Sequence, residues 1–281
     1  MARKHYTEYY ETIADLVETC TTTWERNSRP GARSSRNPGD KDFYGPDSFL
    51  DCVGYITRGW GAGAQTMLAG VEALEQGNEI AVAEHDVAGH YPDPALVASG
   101  DPMNMVREGD ELGSETVIKL GFNTCASWRV TAEQKTNFGI GFLTCIRALT
   151  MQGYSLEISA FDKCAVGSWG DLTIRTLVKP AGEIMDMDLL AFVLAHPGFL
   201  RRFMFAVREQ DPKYSTICAR NYGSPASVRA EDLPGENIYI LPGLSSPMRE
   251  LNSPKTALLY LITLTNRVIG RELLSFDVLG A

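Results

Sequence analysis

The sequence holds no Cys-x-x-Cys pair and only four histidines, and its longest apolar stretches lie around Leu189–Leu194 and Ala257–Ile262. Each shortage excludes something. Cys20, Cys52, Cys125, Cys145, Cys164 and Cys218 are scattered, so they do not form a zinc-finger framework. They read as six reduced thiols in a cytosolic chain. The apolar stretches are far shorter than the ~20 residues a membrane-spanning helix needs. No apolar segment follows Arg3-Lys4, so the start of the chain does not read as a signal peptide. Positive charge is also in deficit. Against 35 Asp+Glu there are 26 Lys+Arg, a net charge of -9. That excludes a basic coat over the whole surface and leaves room for a local basic patch. What is present is an ordinary globular composition on 281 residues. It is long enough for a sizeable core and unlike collagen, a coiled coil or a disordered chain.

Helical spacing over Tyr6–Trp24 (Tyr10, Ile13, Leu16, Val17, Cys20, Trp24) predicts a first helix. Glu25–Pro46 has almost no aliphatic residue but contains Arg26, Arg29, Arg33, Arg36 and Lys41, and it reads as a solvated basic arm. Helices are predicted over Ser48–Trp60 and Ala62–Glu75, with a tight Gly59-Trp60-Gly61 turn between them. No strand precedes those glycines and no Lys-Ser/Thr pair follows them, so they do not form a phosphate loop. His85–Met105 is rich in turn formers and reads as a long irregular connection with a short helix near Pro94–Ala98. His85 and His90, with Asp86 and Asp93 nearby, lack the spacing that puts metal ligands on one helix face.

The pattern then changes. Glu115–Asn123 predicts a strand. Thr131 and Gln134 form a capping box that opens a helix running to Met151. Gly139 and Gly141 inside that helix predict close approach of a neighbour. Tyr154–Phe161 and Leu172–Val178 alternate and read as an antiparallel hairpin joined by the glycine-bearing Asp162–Asp171. Asp188 is placed as the cap of the next helix, which Pro197 breaks after His196. Arg201 and Arg202 follow and are expected to face away from the core. Asn237–Leu241 reads as a buried strand, and Ser253-Pro254 opens a last helix to about Leu274.

This order predicts an α/β fold: a mostly parallel sheet flanked by helices, with a helical N-terminal extension. Residues 1–114 form the helical and loop-rich region with the basic arm at 25–46, and residues 115–281 form the α/β domain. The ligand crevice of such a sheet lies beyond its strand ends, here at Asn123–Val130, Asp162–Asp171 and Pro242–Asn252.

A strand running into Asn123-Thr124-Cys125-Ala126-Ser127, then a helix, a strand and a hairpin, resembles a von Willebrand factor A-type domain. That family's metal motif is Asp-x-Ser-x-Ser. Asn123, Cys125 and Ser127 stand at its three positions. A carboxamide and a thiol lower the charge and hardness that Mg²⁺ requires, so the resemblance implies a degenerate site without metal. A second resemblance rests on Asp86-Val87-Ala88-Gly89, on Tyr91-Pro92-Asp93 and on Gly100-Asp101-Pro102 with Met105. It also rests on Leu190-Ala191-Phe192, Leu194-Ala195-His196-Pro197, Leu200-Arg201-Arg202 and Phe205-Ala206. Over roughly residues 50–275 these resemble a family of phage and prophage proteins. The resemblance implies a mobile-element source and transfers no catalytic residue.

Cys125 with His85 or His90 is a possible thiol–imidazole pair, but nothing in the sequence brings them together. The expectation is a non-enzymatic phage interaction or assembly module with no cofactor and no metal. It would act in the host cytoplasm or the virion, on other phage proteins or on itself, and not at a membrane. The first alternative is a nucleic-acid-associated factor using the basic arm. The second is a metal-dependent hydrolase using Asp162 and Asp171.

Overall fold

The computed structural model describes residues 4–26, 41–45, 48–77, 85–86, 91–92, 94–106, 117–166, 170–210, 222–229, 232–233 and 236–274. The chain opens with strand β1 (Lys4–Tyr10), not a helix. Tyr6, Glu8 and Tyr10 are half-buried and alternate with exposed His5, Thr7 and Tyr9, which is strand period. Helix α1 (Ile13–Arg26) starts later. Thr12 sets its start: the Thr12 hydroxyl accepts from the Asp15 amide at 3.1 Å, and the Asp15 carboxylate accepts from the Thr12 amide at 3.0 Å. The helical spacing of the later residues had hidden this boundary.

A short helix α2 (Lys41–Tyr44) precedes α3 (Phe49–Arg58), which a Ser48–Asp51 capping box opens. Gly59, at a φ of 87°, ends α3 and delivers Trp60. Its ring lies 4.6 Å from His196 and 6.5 Å from Phe192, so the turn beside a packed tryptophan is present. Helix α4 (Gly61–Gly77) follows. The connection expected to be irregular holds β2 (His85–Asp86), β3 (Tyr91–Pro92), α5 (Pro94–Ser99) and β4 (Met105–Val106). Those strands pair as a small separate sheet, β2-β4-β3. Two-residue strands leave too little periodicity to be read from sequence.

Strand β5 (Val117–Asn123) leads into helix α6 (Ala132–Met151), with the Thr131–Gln134 capping box in place. A Cβ on Gly139 would meet Met67 at 2.7 Å. One on Gly141 would meet the Leu258 amide nitrogen at 3.0 Å. The glycines therefore mark helix crossings, as expected. Strands β6 (Ser155–Val166) and β7 (Gly170–Lys179) form the antiparallel hairpin. Most of the segment read as their connector is strand. Asp186, not Asp188, caps α7 (Met187–Ala195), because it stands three residues before the Leu189 amide it accepts from at 2.9 Å.

After Pro197 the chain resumes as a π-helical stretch, Phe199–Met204, that runs into α8 (Phe205–Gln210). Arg201 and Arg202 are buried here, against expectation. Their guanidinium carbons lie 3.8 Å from the ring centre of Phe43 and 4.7 Å from that of Tyr44, so aromatic faces take the place of solvent. At the break the His196 Nδ1 accepts from the Gly198 amide at 2.9 Å. β8 (Ser224–Pro225) and β9 (Tyr239–Leu241) precede α9 (Pro254–Ile269), which stops at Gly270 in left-handed conformation, short of Leu274.

The main sheet runs β1-β7-β6-β5-β9, and β8 pairs with β6 beyond the end of β5. β5 is parallel to both β6 and β9, and β1 is parallel to β7; β6–β7 and β6–β8 are antiparallel. The sheet is mixed, mostly parallel and flanked by helices. The hairpin strand β7 is not an edge, because β1 pairs with its outer side.

One sheet face carries Leu120, Phe122, Ile158, Leu172 and Ile174 into a hydrophobic cluster shared with the helices, including Leu16 of α1 and Met67 of α4. α7 is apolar all round and buried among α3, α4 and α6. The other face carries a polar row. Lys119 meets Glu157 at 3.2 Å, Glu157 meets Arg175 at 3.6 Å, and Arg175 lies over Tyr9 and bonds Glu236. Among the described residues no single helix is long and apolar enough to cross a membrane. The apolar pair from Met187 to Glu209 is bent by 72° and lies in the core.

Candidate functional site

β5 is the strand from which the chain departs in both directions, to β6 on one side and to β9 on the other. Its carboxyl end therefore opens on the crevice where open α/β sheets bind ligands. The side chains there are held by internal bonds. The Asn123 amide nitrogen donates to the Lys163 carbonyl at 3.1 Å and to the Ala226 carbonyl at 2.9 Å. Its oxygen accepts from the Cys125 amide at 3.0 Å and the Lys163 amide at 3.2 Å. A carboxamide can do both; a carboxylate has no donor. Asn123 thus clamps β5, β6 and the segment at Ala226 together.

Cys125 faces a different group. Its thiol donates to Asp162 Oδ1 at 2.7 Å, and Arg208 Nη2 approaches its sulfur at 3.1 Å. Arg208 also holds both oxygens of Asp162, one of them through Nε at 2.7 Å. Arg208 and Asp162 are both buried, so each neutralises the other where an unpaired charge would be costly. Cys164, two residues beyond Asp162 on β6, is buried on the same face of the strand. Burial pushes the Cys125 thiol well up, and the Cys164 and Asp162 neighbours add to this. The Cys125 neighbour and the Arg208 charge hold the Cys164 thiol down despite its own burial.

Ser127 begins the loop to α6. Its hydroxyl accepts from the Arg129 amide at 3.4 Å. The loop is fastened to the strand-end loop after β9: the Ser127 amide donates to the Leu244 carbonyl at 2.7 Å, and the Leu244 amide donates to the Cys125 carbonyl at 3.1 Å. Arg201 fastens it from below through the Ser127 carbonyl at 3.2 Å. From this held loop Trp128 projects, 70 % exposed, with the Arg129 guanidinium 5.1 Å from its ring.

Two further charged groups are buried nearby. Lys135, in the first turn of α6, has no hydrogen-bond partner for its Nζ. Burial brings its pKa down to about 7, with the Arg201 charge adding to the effect. On the polar face Lys163 bridges Asp171 at 3.0 Å and Asp232 at 2.8 Å, and His5 reaches Asp171 at 2.9 Å. Burial raises both carboxyls, but the bonds they accept outweigh it and hold both below the usual range.

The structure thus separates the two carboxylates that the sequence offered as one crevice pair. Asp162 belongs with Cys125, and Asp171 belongs with Lys163 on the opposite face. Among the described residues, no three His, Cys, Asp or Glu side chains are arranged to hold a metal ion. Arg29, Arg33, Arg36 and His90 lie outside the described residues, and for Arg26, Lys41 and His85 only the backbone is described.

A family model described as "Domain of unknown function (DUF7192)" matches residues 1–265. The chain belongs to the DUF7192 family. No curated protein and no solved structure matches it. The DUF7192 match begins with the residues that form β1 and reaches into α9, so it takes in the crevice and every group bonded to it. Three of those groups escaped the sequence reading of this DUF7192 chain: Arg208, Lys163 and Lys135. The one available signal concerned Arg208, an arginine at the end of the most apolar helical run. A charge there requires a buried partner.

Proposed function

We propose that this DUF7192 chain is a non-enzymatic interaction and assembly module of a phage or other mobile element, built on a degenerate von Willebrand factor A-like domain. The strand order supports the domain reading: β5 lies between β6 and β9, α6 leads to β6, and β7 turns back antiparallel, as in the pattern the sequence resembles. The fate of the motif positions supports a site without metal. Asn123 is a clamp, Cys125 is bonded to Asp162, and Ser127 closes its own loop. The observation that carries the interaction reading is Trp128. Tryptophan and arginine dominate the energetic centres of protein interfaces. Here the pair stands on a loop already fixed at its base, so little ordering entropy opposes binding. The partner is another protein of the same element or a second copy of this chain, met in the host cytoplasm or the virion.

The test is purification of the native assembly from producing cells, for wild type and Trp128→Ala. The expected result is one stoichiometric protein partner, or a self-assembly, that is lost in the variant while the melting temperature of the isolated chain is unchanged. An assembly indifferent to Trp128 overturns the reading. Co-purified nucleic acid, released by salt and lost on neutralising Arg26, Arg29, Arg33 and Arg36, would replace it with a nucleic-acid factor.

A further inference from the structure

Lys135 has no role in the interaction reading, and its surroundings do not suit a cation. The residue is 4 % exposed, and among the described residues its Nζ meets no hydrogen-bond partner. Other covered lysines are furnished differently. Lys163 bridges Asp171 and Asp232, and half-buried Lys179 donates to the Leu156 and Pro180 carbonyls at 2.8 and 3.1 Å. Lys135 is also the fourth residue of α6. A helix N-terminus favours negative charge, and a helical side chain leans back towards that end. Arg201 stands under the loop that leads into this turn, bonded to the Ser127 carbonyl at 3.2 Å, and adds a second positive charge. We propose that Lys135 is a carbon dioxide site, at which the side-chain amine is reversibly converted to a carbamate.

The chemistry follows from the misplaced charge. Burial and Arg201 bring the amine down to about 7, so much of it is neutral and nucleophilic at neutral pH. An ordinary lysine, at about 10.4, stays protonated there. The neutral nitrogen attacks the carbon of CO2. An N–C bond forms, one C–O π bond breaks, and that electron pair goes to oxygen. The nitrogen gives one proton to the buffer. No electron is transferred: an amine and CO2 have become a carbamate anion and a proton. The anion suits every feature that the cation did not. It lies at the positive end of α6 with the Arg201 charge near it. Burial also shields it from the protons that return a carbamate in water to amine and CO2. Entry needs no open channel. Closed apolar cavities in proteins take up uncharged guests as large as benzene. CO2 is smaller and sheds no ionic hydration, whereas phosphate or another oxyanion would have to. The neutral gas is therefore the ligand.

The experiment is ¹³C NMR of the folded full-length chain, labelled with ¹⁵N-lysine, in near-neutral buffer with ¹³C-bicarbonate, which equilibrates with CO2. The expected result is one carbamate resonance split by a lysine nitrogen. It should disappear when CO2 is removed and return when it is restored. It should be absent from Lys135→Met and from wild type unfolded in guanidinium. A folded wild type without the resonance overturns the proposal. So does a lysine carbamate that survives in Lys135→Met or in guanidinium. The splitting and the loss on unfolding are read on wild type alone, so they decide the matter even if the variant fails to fold.

Discussion

Restoring the aspartate that the metal motif calls for should damage this protein. Asn123→Asp removes the two donors that hold the Lys163 and Ala226 carbonyls. Each lost hydrogen bond costs about 1 kcal/mol, although the Lys163 carbonyl keeps the bond from the Ala226 amide at 3.1 Å. Asn123 is only 5 % exposed, so the new carboxylate would be buried and would face two carbonyl oxygens. Together these give a loss of about 3–5 kcal/mol, in the range found when a buried charge is left without its partner. At the ~2–4 °C per kcal/mol of a domain this size, the melting temperature should fall by roughly 6–20 °C. The sign with pH can be worked out. When protonated, the introduced carboxyl regains one donor, so its folded pKa should lie above the unfolded value of about 3.9. Its contribution is then complete below that value and is lost as pH rises through the folded pKa. The gap to wild type should widen from pH 4 to neutrality. Thermal melts of both proteins at several pH values, with and without Mg²⁺, make the measurement. If the variant is as stable as wild type, or is stabilised by Mg²⁺ where wild type is not, the clamp account of Asn123 is refuted.

Other substitutions test the packing and the buried charge. Gly141→Ala should destabilise by about 1–3 kcal/mol, because its methyl would meet the α9 backbone and Leu261. Gly139→Ala meets the flexible end of Met67 and should be close to neutral, since about 1 kcal/mol of helix propensity offsets the contact. Urea titrations of the pair read the contrast. Lys135→Met should be more stable than wild type at pH 7 and below. The wild-type lysine titrates near 7 when folded and near 10.5 when unfolded, so wild-type stability should rise between those values. The advantage of the variant should therefore shrink towards pH 10, and melts with no such convergence would contradict the buried, unpartnered amine.

The parts of the fold legible in the sequence were those determined locally. The Thr131–Gln134 box, the glycines of α6 and Pro254 at the start of α9 act within a few residues or through a missing side chain. β1 was misread because its partner is β7, far along the chain, while the helical spacing beside it was strong. The site was half legible. Asn123, Cys125 and Asp162 were singled out, but their bonding was not, because each partner lies on another element. Arg201 and Arg202 were placed away from the core, and Arg208, Lys135 and Lys163 were passed over, because charge alone suggests an exposed position. Aromatic faces, carboxylates and carbonyls reached through the tertiary fold decide otherwise for all but Lys135, which burial holds without a hydrogen-bond partner.

The place of β1 also sets a timetable for synthesis. Residues 4–10 leave the ribosome long before the strand they pair with, which ends at Lys179. Until then the first strand has no partner, and once β7 forms it has an open border until β1 arrives. Such late, long-range pairing is slow and leaves an unpaired border on which a second nascent chain can dock. A shortened chain beginning at α1 should therefore be prone to capture the first strand of an intact neighbour, and a synthetic peptide of residues 4–10 should suppress that exchange.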